Sequence, residues 1–165
     1  MVADDSIADL VEDQYDIVIR ANPRPTEGLV GRRFVRTDRV AIAAPAFACP
    51  GDGQRFRVVD RLGESTNAQW RLREGSLLLR LRPDPMLHLS SLLMVRDAVL
   101  LGAGAALLPH TLIEDDRAAD RLVAWTVEDG VQTELWALHT SWQLASDKVH
   151  AFLRCLDESF APPRA

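Results

Sequence analysis

Residues 100–109, LLGAGAALLP, constrain the fold more than any other part of the sequence. They follow a segment with helical spacing, in which Val95 and Val99 share one face, and they end in an apolar run stopped by proline. Gly102 suits the left-handed backbone that ends a helix, and Gly104 allows close backbone packing where the next strand begins. The order of helix, paired glycines and buried strand predicts an α/β fold.

The same two glycines are not expected to form a phosphate-binding loop. Such a loop places its glycines after a strand and before a helix, so that the helix amides point at the anion. Here the helix comes first, no third glycine follows, and no Lys-Ser or Lys-Thr pair completes a P-loop. We therefore expect no nucleotide at this place, and no cofactor is expected anywhere in the chain.

Helical and extended patterns intermingle along the whole chain. Helices are predicted over residues 6–14, from Ser90 or Ser91 to Gly102, within 110–121, and from Ser146 onward. A buried extended segment is predicted at 15–21, and the run 29–47 is predicted as two extended pieces around a polar turn at 36–39. A further turn is predicted at 130–132. The other predicted extended segments are 56–62, 69–74, 77–83, 105–109, 121–127 and 133–141. Pro45 ends the early run, and residues 49–54 read as a loop.

Arginines concentrate in two stretches, RRFVRTDR at 32–39 and the segment 70–82. The second stretch predicts a hairpin with a turn at Glu74 and Gly75, an apolar face and an arginine-rich wet face. Solvated strand faces explain these arginines, and an anion-binding or partner-facing patch is the alternative.

Composition excludes several classes of protein. The chain has 165 residues, a formal net charge of -5 and a pI near 5.3, which argues against binding nucleic acid or an anionic membrane by itself. No apolar run reaches the roughly 18 residues that a membrane span needs. The acidic N-terminal stretch resembles neither a secretory signal nor a transit peptide, and we expect a cytoplasmic location.

No arrangement of reactive side chains predicts catalysis or metal binding. Cys49 and Cys155 match no metal spacing and are expected to be reduced, largely structural thiols. The four histidines form no HxxxH or HExxH pattern, so no metal site is expected. Adjacent carboxylates, such as those at 114–116, fall at helix starts or on solvated faces and suit a helix-dipole or surface role. No nucleophile and base form a pair, so the chain is not expected to be an enzyme.

Three passages, in order, resemble the effector-binding domain of LysR-type transcriptional regulators. They are YDIVIRANPRPTEGLVGRRFVRTDRVAIAAPAF (15–47), LSSLLMVRDAVLLGAGAALLP (89–109), and RLVAWTV (121–127) with ELWALHTSWQLASDKVHAFLRCLDESF (134–160). The resemblance implies a two-lobed α/β fold like that of type 2 periplasmic solute-binding proteins. Lobe I would comprise residues 1–44 and 134–165, and lobe II residues 45–133. The first βα unit of lobe I has no counterpart in this sequence, which would leave an unpaired strand edge beside 15–21.

The resemblance also implies a small effector, often a carboxylate, in the cleft between the lobes. Matching positions at helix starts, strand ends and the crossing between lobes are Asp5, Ser6, Arg20, Ala21, Asn22, Pro45, Ser65, Thr66, Leu89, Ser90 and Ser91. It further implies a homo-oligomer, dimer or tetramer, for which the exposed faces of 6–14 and of the strand around 80–82 are candidates. DNA would be bound only through a helix-turn-helix domain that this chain lacks, and no membrane is involved.

Two other functions on the same fold remain open at the level of sequence. One is a stand-alone solute-binding protein, against which the acidic start without a signal or lipid-attachment cysteine argues. The other is an enzyme such as a prephenate dehydratase-like or porphobilinogen deaminase-like catalyst, against which the lack of an acid–base pair argues.

Overall fold

The computed structural model describes residues 15–23, 29–63, 69–140 and 146–160. Its elements are β1 (Val18–Ala21), β2 (Leu29–Ala43), β3 (Arg55–Arg61), β4 (Trp70–Glu74), β5 (Leu77–Leu89), α1 (Leu92–Leu100), β6 (Ala106–Pro109), a 3₁₀ turn (His110–Leu112), α2 (Glu114–Ala118), β7 (Val123–Thr140) and α3 (Asp147–Ser159). The predicted helix at 6–14 lies outside the described residues.

The chain forms two compact units. Unit 1 consists of Met1–Arg36 with Thr133–Ala165, and unit 2 of Thr37–Gln132. The long strands β2 and β7 each carry the chain from one unit into the other, because both unit boundaries fall inside them. The predicted division into lobes at 44/45 and 133/134 concerns functional lobes, and it stays a prediction.

Unit 2 is built on a mixed sheet with the strand order β3-β5-β4-β7-β2-β6. β3 and β5 are parallel, whereas β4 pairs antiparallel with β5 and β7, and β6 pairs antiparallel with β2. In unit 1, β1 pairs antiparallel with the last part of β7, from Val18 opposite Leu138 to Ala21 opposite Leu135. Strands and helices intermingle as the sequence predicts.

The core of unit 2 consists of two clusters that use alternate residues of β2. Val40 and Ile42 pack with the buried face of α1, and Ala41 and Ala43 pack in the second cluster. The second cluster also contains the aromatic side chains Phe56, Trp70, Phe47 and Trp125, whose rings lie 4.9–6.4 Å apart between centroids. Alternate residues of a strand point to opposite faces of its sheet, so the sheet is covered by apolar side chains on both faces here.

Helix α1 begins and ends as its sequence predicts. Ser91 caps the N-terminus, and Val95 and Val99 are fully buried. At the other end Gly102 has a φ of 79°, and its amide donates to the carbonyl of Val99 at 2.9 Å. The amide of Ala103 donates to the carbonyl of Ala98 at 3.0 Å. This pair of hydrogen bonds is a Schellman motif, which satisfies carbonyls that the helix end would leave unpaired.

Gly104 allows the chain to enter the sheet beside β3. A Cβ atom at this position would lie 2.8 Å from the carbonyl oxygen of Arg57, which is closer than side chains tolerate. Ala105, the next residue, donates to the same carbonyl at 2.9 Å and accepts from the amide of Val59 at 2.9 Å. The prediction of two architectural glycines, one for a turn and one for close packing, is confirmed.

Two predicted turns are wrong, because β2 and β7 are continuous strands. Residues 36–39 lie inside β2, where buried Val35 and Thr37 alternate with exposed Arg36 and Asp38 and so maintain the period of a strand. The predicted turn at 130–132 lies inside β7, where Gly130 takes a φ of 73° without ending the strand. Polar residues indicated turns here, but their partners on neighbouring strands keep the backbone extended.

The predicted burial of residues 15–21 is also wrong. β1 forms within this run, but half-buried and exposed residues alternate along it, and Ile19 is 45% exposed. The hairpin of β4 and β5 is confirmed, with Gly75 in its turn at a φ of 59°. Cys49 and Cys155 are both free and exposed, so a structural role for these thiols in packing is not supported.

Asp116 contradicts the expected surface role of the carboxylates at 114–116. Its side chain is buried, with Oδ2 2.5 Å from Nε of Arg96 and Oδ1 2.5 Å from a terminal nitrogen of Arg121. Its backbone carbonyl accepts from the amides of Arg121 at 2.8 Å and Leu122 at 3.3 Å. One residue therefore links α1, α2 and the approach to β7. The hydrogen bond from Arg96, and then that from Arg121, hold the pKa of Asp116 below its ordinary value despite burial.

Substitution of Gly102 by valine tests the helix end. No atom lies within 4 Å of the added Cβ, so the expected loss of about 1–2 kcal/mol in unfolding free energy comes from the left-handed backbone alone. Gly102→Asn should lose less, since asparagine tolerates this conformation. Urea unfolding measures both. Equal losses for valine and asparagine would show that the backbone conformation is not the cause.

Substitution of Asp116 by asparagine should lower the unfolding free energy at pH 7 by about 2–3 kcal/mol, because Arg96 and Arg121 lose their shared carboxylate. The folded pKa is lowered, so this contribution is complete above the unfolded pKa near 4 and is lost as the pH falls through the folded value. The difference between wild type and variant should therefore shrink in acid. Asp115→Asn, at an exposed neighbour, is the control and should change stability by less than about 0.5 kcal/mol. A difference that does not depend on pH would contradict the assignment.

Candidate functional site

Three of the predicted contacts of unit 2, Leu89, Ser90 and Ser91, lie where parallel strands end. Arg61 is opposite Leu89 in the β3–β5 pair, and the amide of Leu62 donates to the carbonyl of Leu89 at 2.7 Å. The chain leading into β6 runs parallel to β3, since Val58 and Ala105 form a parallel bridge. In open α/β sheets, ligands bind outside the carboxyl ends of such strands. Leu89 and the two serines that follow it are at this edge.

Helix α1 starts at this edge, immediately after β5. Ser91 Oγ accepts a hydrogen bond from the amide of Leu93 at 3.1 Å, which satisfies one of the unpaired amides of the first turn. The first turn contains no acidic residue, so its partial positive charge is not neutralised within the helix. Ser90 is exposed, and its Oγ lies 3.6 Å from the weak acceptor Sδ of Met94. The helix start is thus suited to a small anion.

In unit 1, the predicted residues Arg20 and Ala21 are the last two of β1, and Asn22 follows them. Asn22 has a φ of 45°, its amide donates to the carbonyl of Glu134 at 2.8 Å, and its Oδ1 accepts from the amide of Glu134 at 2.8 Å. This reciprocal pair fixes the end of β1 against β7. Asn22 therefore has a structural role that the sequence did not predict.

Glu134 is a charged centre that sequence reasoning missed. Its Oε1 accepts from Arg33 at 2.6 Å and lies 3.8 Å from Nε of Arg36, and its Oε2 accepts from Nε1 of Trp136 at 3.2 Å. The hydrogen bond from Arg33, aided by Trp136 and the charges of both arginines, holds the pKa of Glu134 below its ordinary value. Arg33 and Glu134 are 101 residues apart, so only the pairing of β2 and β7 could have revealed the contact.

The first arginine cluster of the sequence is largely paired with carboxylates. Arg32 lies 2.8 Å from Asp157, and Arg39 lies 3.3 Å from the buried Glu128. Together with the pairing of Arg33, these contacts favour the interpretation of solvated strand faces over an anion site for residues 32–39.

The remaining predicted residues are less informative. Pro45 is exposed in a turn after β2, where the amide of Phe47 donates to the carbonyl of Ala44 at 2.8 Å. Asp5, Ser6, Ser65 and Thr66 lie outside the described residues. Of the predicted site, the structure thus places Leu89 to Ser91 together in unit 2 and Arg20 to Asn22 together in unit 1.

Within the described residues, no group of three or more His, Cys, Asp or Glu side chains could hold a metal ion. No helix among them is long and apolar enough to span a membrane.

Comparison with known proteins identifies the domain. The family of the LysR substrate binding domain matches residues 1–161. The transcriptional regulator PtxR of Pseudomonas aeruginosa, an HTH-type protein, is 27% identical over 169 residues, which cover 96% of this chain and 53% of the relative. This chain thus spans about half the length of the curated relative that it matches.

Solved structures agree on the fold. The regulatory domain of CrgA from Neisseria meningitidis, a LysR-type regulator, superimposes with a TM-score of 0.75 at 21% identity, covering 92% of this chain and 78% of that one. Full-length AphB, the virulence activator of Vibrio cholerae, gives a TM-score of 0.68 at 17% identity, covering 94% and 55%.

These matches confirm the predicted family and the periplasmic-binding-protein-like α/β fold. The relatives are transcriptional regulators and not enzymes, so neither the enzyme nor the stand-alone solute-binding protein is favoured. The chain belongs to the LysR substrate-binding domain family and is a regulatory domain of that family of transcriptional regulators.

Proposed function

We propose that this domain senses a small effector for a LysR-type transcriptional regulator. The observation that carries the proposal is the start of α1, where a serine-capped helix with no acidic residue in its first turn follows a strand that ends beside a parallel neighbour. Leu89, Ser90 and Ser91 would contact the effector on unit 2. The cleft between the lobes that the resemblance implies stays a prediction, as do the contacts expected from Arg20, Asn22 and Pro45.

The proposed effector is a small carboxylate. Helix amides and serine hydroxyls donate hydrogen bonds, and carboxylate oxygens only accept them. An anion at this helix start also gains from the partial positive charge of the terminus. The first turn of α1 itself contains no acidic residue that would compete for that place.

The effector would regulate by shifting an equilibrium between assemblies. A ligand changes such an equilibrium only by as much as its affinities for the two states differ. We propose a homodimer or tetramer whose arrangement responds to the effector, in a longer cytoplasmic protein that binds DNA through a helix-turn-helix domain. The candidate contact at 6–14 lies outside the described residues. The other candidate, the strand around 80–82, presents exposed arginines while Leu81 is buried behind them, so it offers a second copy like charges and little apolar surface.

A screen of small carboxylates by thermal shift, with aromatic compounds and amino acids alongside, tests effector binding. At a hundredfold excess over the dissociation constant, a ligand stabilises the folded state by about 2.7 kcal/mol. For a domain of this size, that stabilisation raises the melting temperature by about 5–10 °C. A screen in which neutral compounds alone raise the melting temperature would reject a carboxylate effector.

Variants at the two serines test whether the effector binds at the start of α1. Ser90→Ala and Ser91→Gly should each reduce the affinity for a carboxylate hit about tenfold, measured by calorimetry, because each removes a hydroxyl donor. Neither should lower the melting temperature of the free protein by more than about 2 °C, since glycine at an N-cap costs only a few tenths of a kcal/mol. Ser159→Ala, at the end of α3, is the control and should leave affinity unchanged. Unchanged affinity in both test variants would remove the effector from this helix start.

A further inference from the structure

One exposed face of the unit 2 sheet carries six arginines, which we call the arginine face. Its members are Arg55 and Arg57 of β3, Arg71 and Arg73 of β4, and Arg80 and Arg82 of β5. All six are exposed, whereas the residues between them, Phe56, Leu72 and Leu81, are buried on the opposite face. The alternation is that of strands with one dry face, and it places the six guanidinium groups on one side of three adjacent strands.

Like charges lie directly opposite each other on this face. Arg55 is the register partner of Arg82 in the β3–β5 pair, and Arg71 is that of Arg80 in the β4–β5 pair. Like charges at such positions destabilise a sheet. Among the described residues the Arg55–Arg82 pair has no carboxylate partner, and on a chain with a net charge of -5 it is a departure that folding alone does not explain.

Carboxylates neutralise only part of the face. Asp129 pairs with Arg71 at 3.0 Å and Arg73 at 2.6 Å, and Asp84 is the register partner of Arg57. At the margin, Asp52 uses Oδ1 to accept the backbone amide of Arg80 at 2.8 Å.

The other four arginines keep their charge available. Within the described part of the chain, the side chains of Arg55, Arg57, Arg80 and Arg82 make no hydrogen bond or ion pair. The arginines at 32, 33 and 39 each have a carboxylate partner, so the arginine face differs from the other charged strand surface of this chain.

The geometry favours an extended polyanion over a small one. Side chains on the same face of a strand repeat about every 7 Å, and adjacent strands lie about 4.8 Å apart, so the charges spread over a broad exposed surface. A small anion would contact one or two guanidinium groups and remain solvated, which gives little affinity. A chain of phosphates engages several arginines at once and releases its counterions.

We propose that the arginine face is an auxiliary, sequence-independent contact for the phosphate backbone of duplex DNA. The inference rests on the proposed function in one respect, namely that a helix-turn-helix domain of the longer protein holds DNA nearby. Tethering of that kind supplies effective concentrations near the millimolar range, at which a weak contact becomes occupied. The net negative charge keeps the free domain from binding DNA tightly, and it is the local charge that makes the contact. This contact would add to DNA binding through the helix-turn-helix domain, which stays the expected main contact.

The test measures binding of this 165-residue chain to a fluorescein-labelled 30-base-pair duplex by anisotropy. With about three phosphates neutralised, the logarithm of affinity should fall with the logarithm of salt concentration with a slope of about -2 to -3. We expect a dissociation constant on the order of 10⁻⁵ M in 20 mM salt and 10⁻³ M in 150 mM salt, equal for two duplexes of unrelated sequence. No saturable binding in 20 mM salt would overturn the proposal.

A matched pair of variants locates the contact. Arg55→Gln with Arg82→Gln should weaken DNA binding at least about tenfold in 20 mM salt and reduce the salt slope by about 1 to 2. Lys148→Gln with Arg154→Gln changes the net charge equally on α3 and should weaken binding less than about threefold. The first variant should melt at or above the wild-type temperature in low salt, because a repulsive pair is removed. Equal weakening by both variants would overturn the proposal.

Two further measurements separate other partners from DNA. A polyglutamate peptide that binds the arginine face more tightly than the duplex would assign it to an acidic protein and overturn the proposal. A change of oligomeric state in the first variant without DNA, seen by sedimentation, would assign the face to a second copy of the chain and likewise overturn it. No effector enters these assays, so their failure leaves the effector hypothesis standing, and a failed effector screen leaves the DNA result standing.

Discussion

The contact between the backbone at Gly104 and the carbonyl of Arg57 is the constraint on which unit 2 depends. It brings the chain leaving α1 into the sheet beside β3, so that Val59 can donate to Ala105 and the two clusters of the core form on opposite faces. A side chain at this position would push β3 away from β6. The Schellman motif at Gly102 precedes this contact, because the helix must end before the chain can turn into the sheet. The edge where α1 begins, and with it the candidate effector site, is positioned by the same three elements.

Local patterns in the sequence predict the elements, whereas long-range pairing decides their lengths. The cap, the apolar face and the C-terminal glycine of α1 are local signals, and each is confirmed. The polar runs at 36–39 and 130–132 are equally local signals for turns, yet both lie in continuous strands. There, partners distant in sequence decide the outcome, as when Arg39 finds the buried Glu128 and Gln132 donates to Asp38 at 2.7 Å. No window of neighbouring residues contains that information.

The candidate site likewise contains residues that local sequence patterns predict and residues that they do not. The serines at the start of α1 are evident from sequence, because a hydroxyl before an apolar helical run is a capping signal. The resemblance to a family, and no local pattern, selected Arg20 and Asn22, and the structure adds that Asn22 fixes β1 to the backbone of Glu134. The cluster of Glu134 with Arg33 and the buried Asp116 were not predictable, since burial of a carboxylate depends on which arginines the fold brings to it.

The distribution of charge explains more about this domain than its net value does. Several charged groups form pairs that fix its elements, as Asp116 joins Arg96 to Arg121 and Glu134 joins Arg33 to the end of β1. Two places in the described residues have a different arrangement of charge. The start of α1 has donors and no acidic residue, and the sheet surface around Arg55 and Arg82 has cations opposite cations. Within the described residues, neither the first turn of α1 nor the side chains of Arg55 and Arg82 are neutralised by a carboxylate, so both places remain able to attract an anion. One place suits a small acceptor at a helix end, and the other suits a long anion on an open surface, so the two proposals concern different ligands.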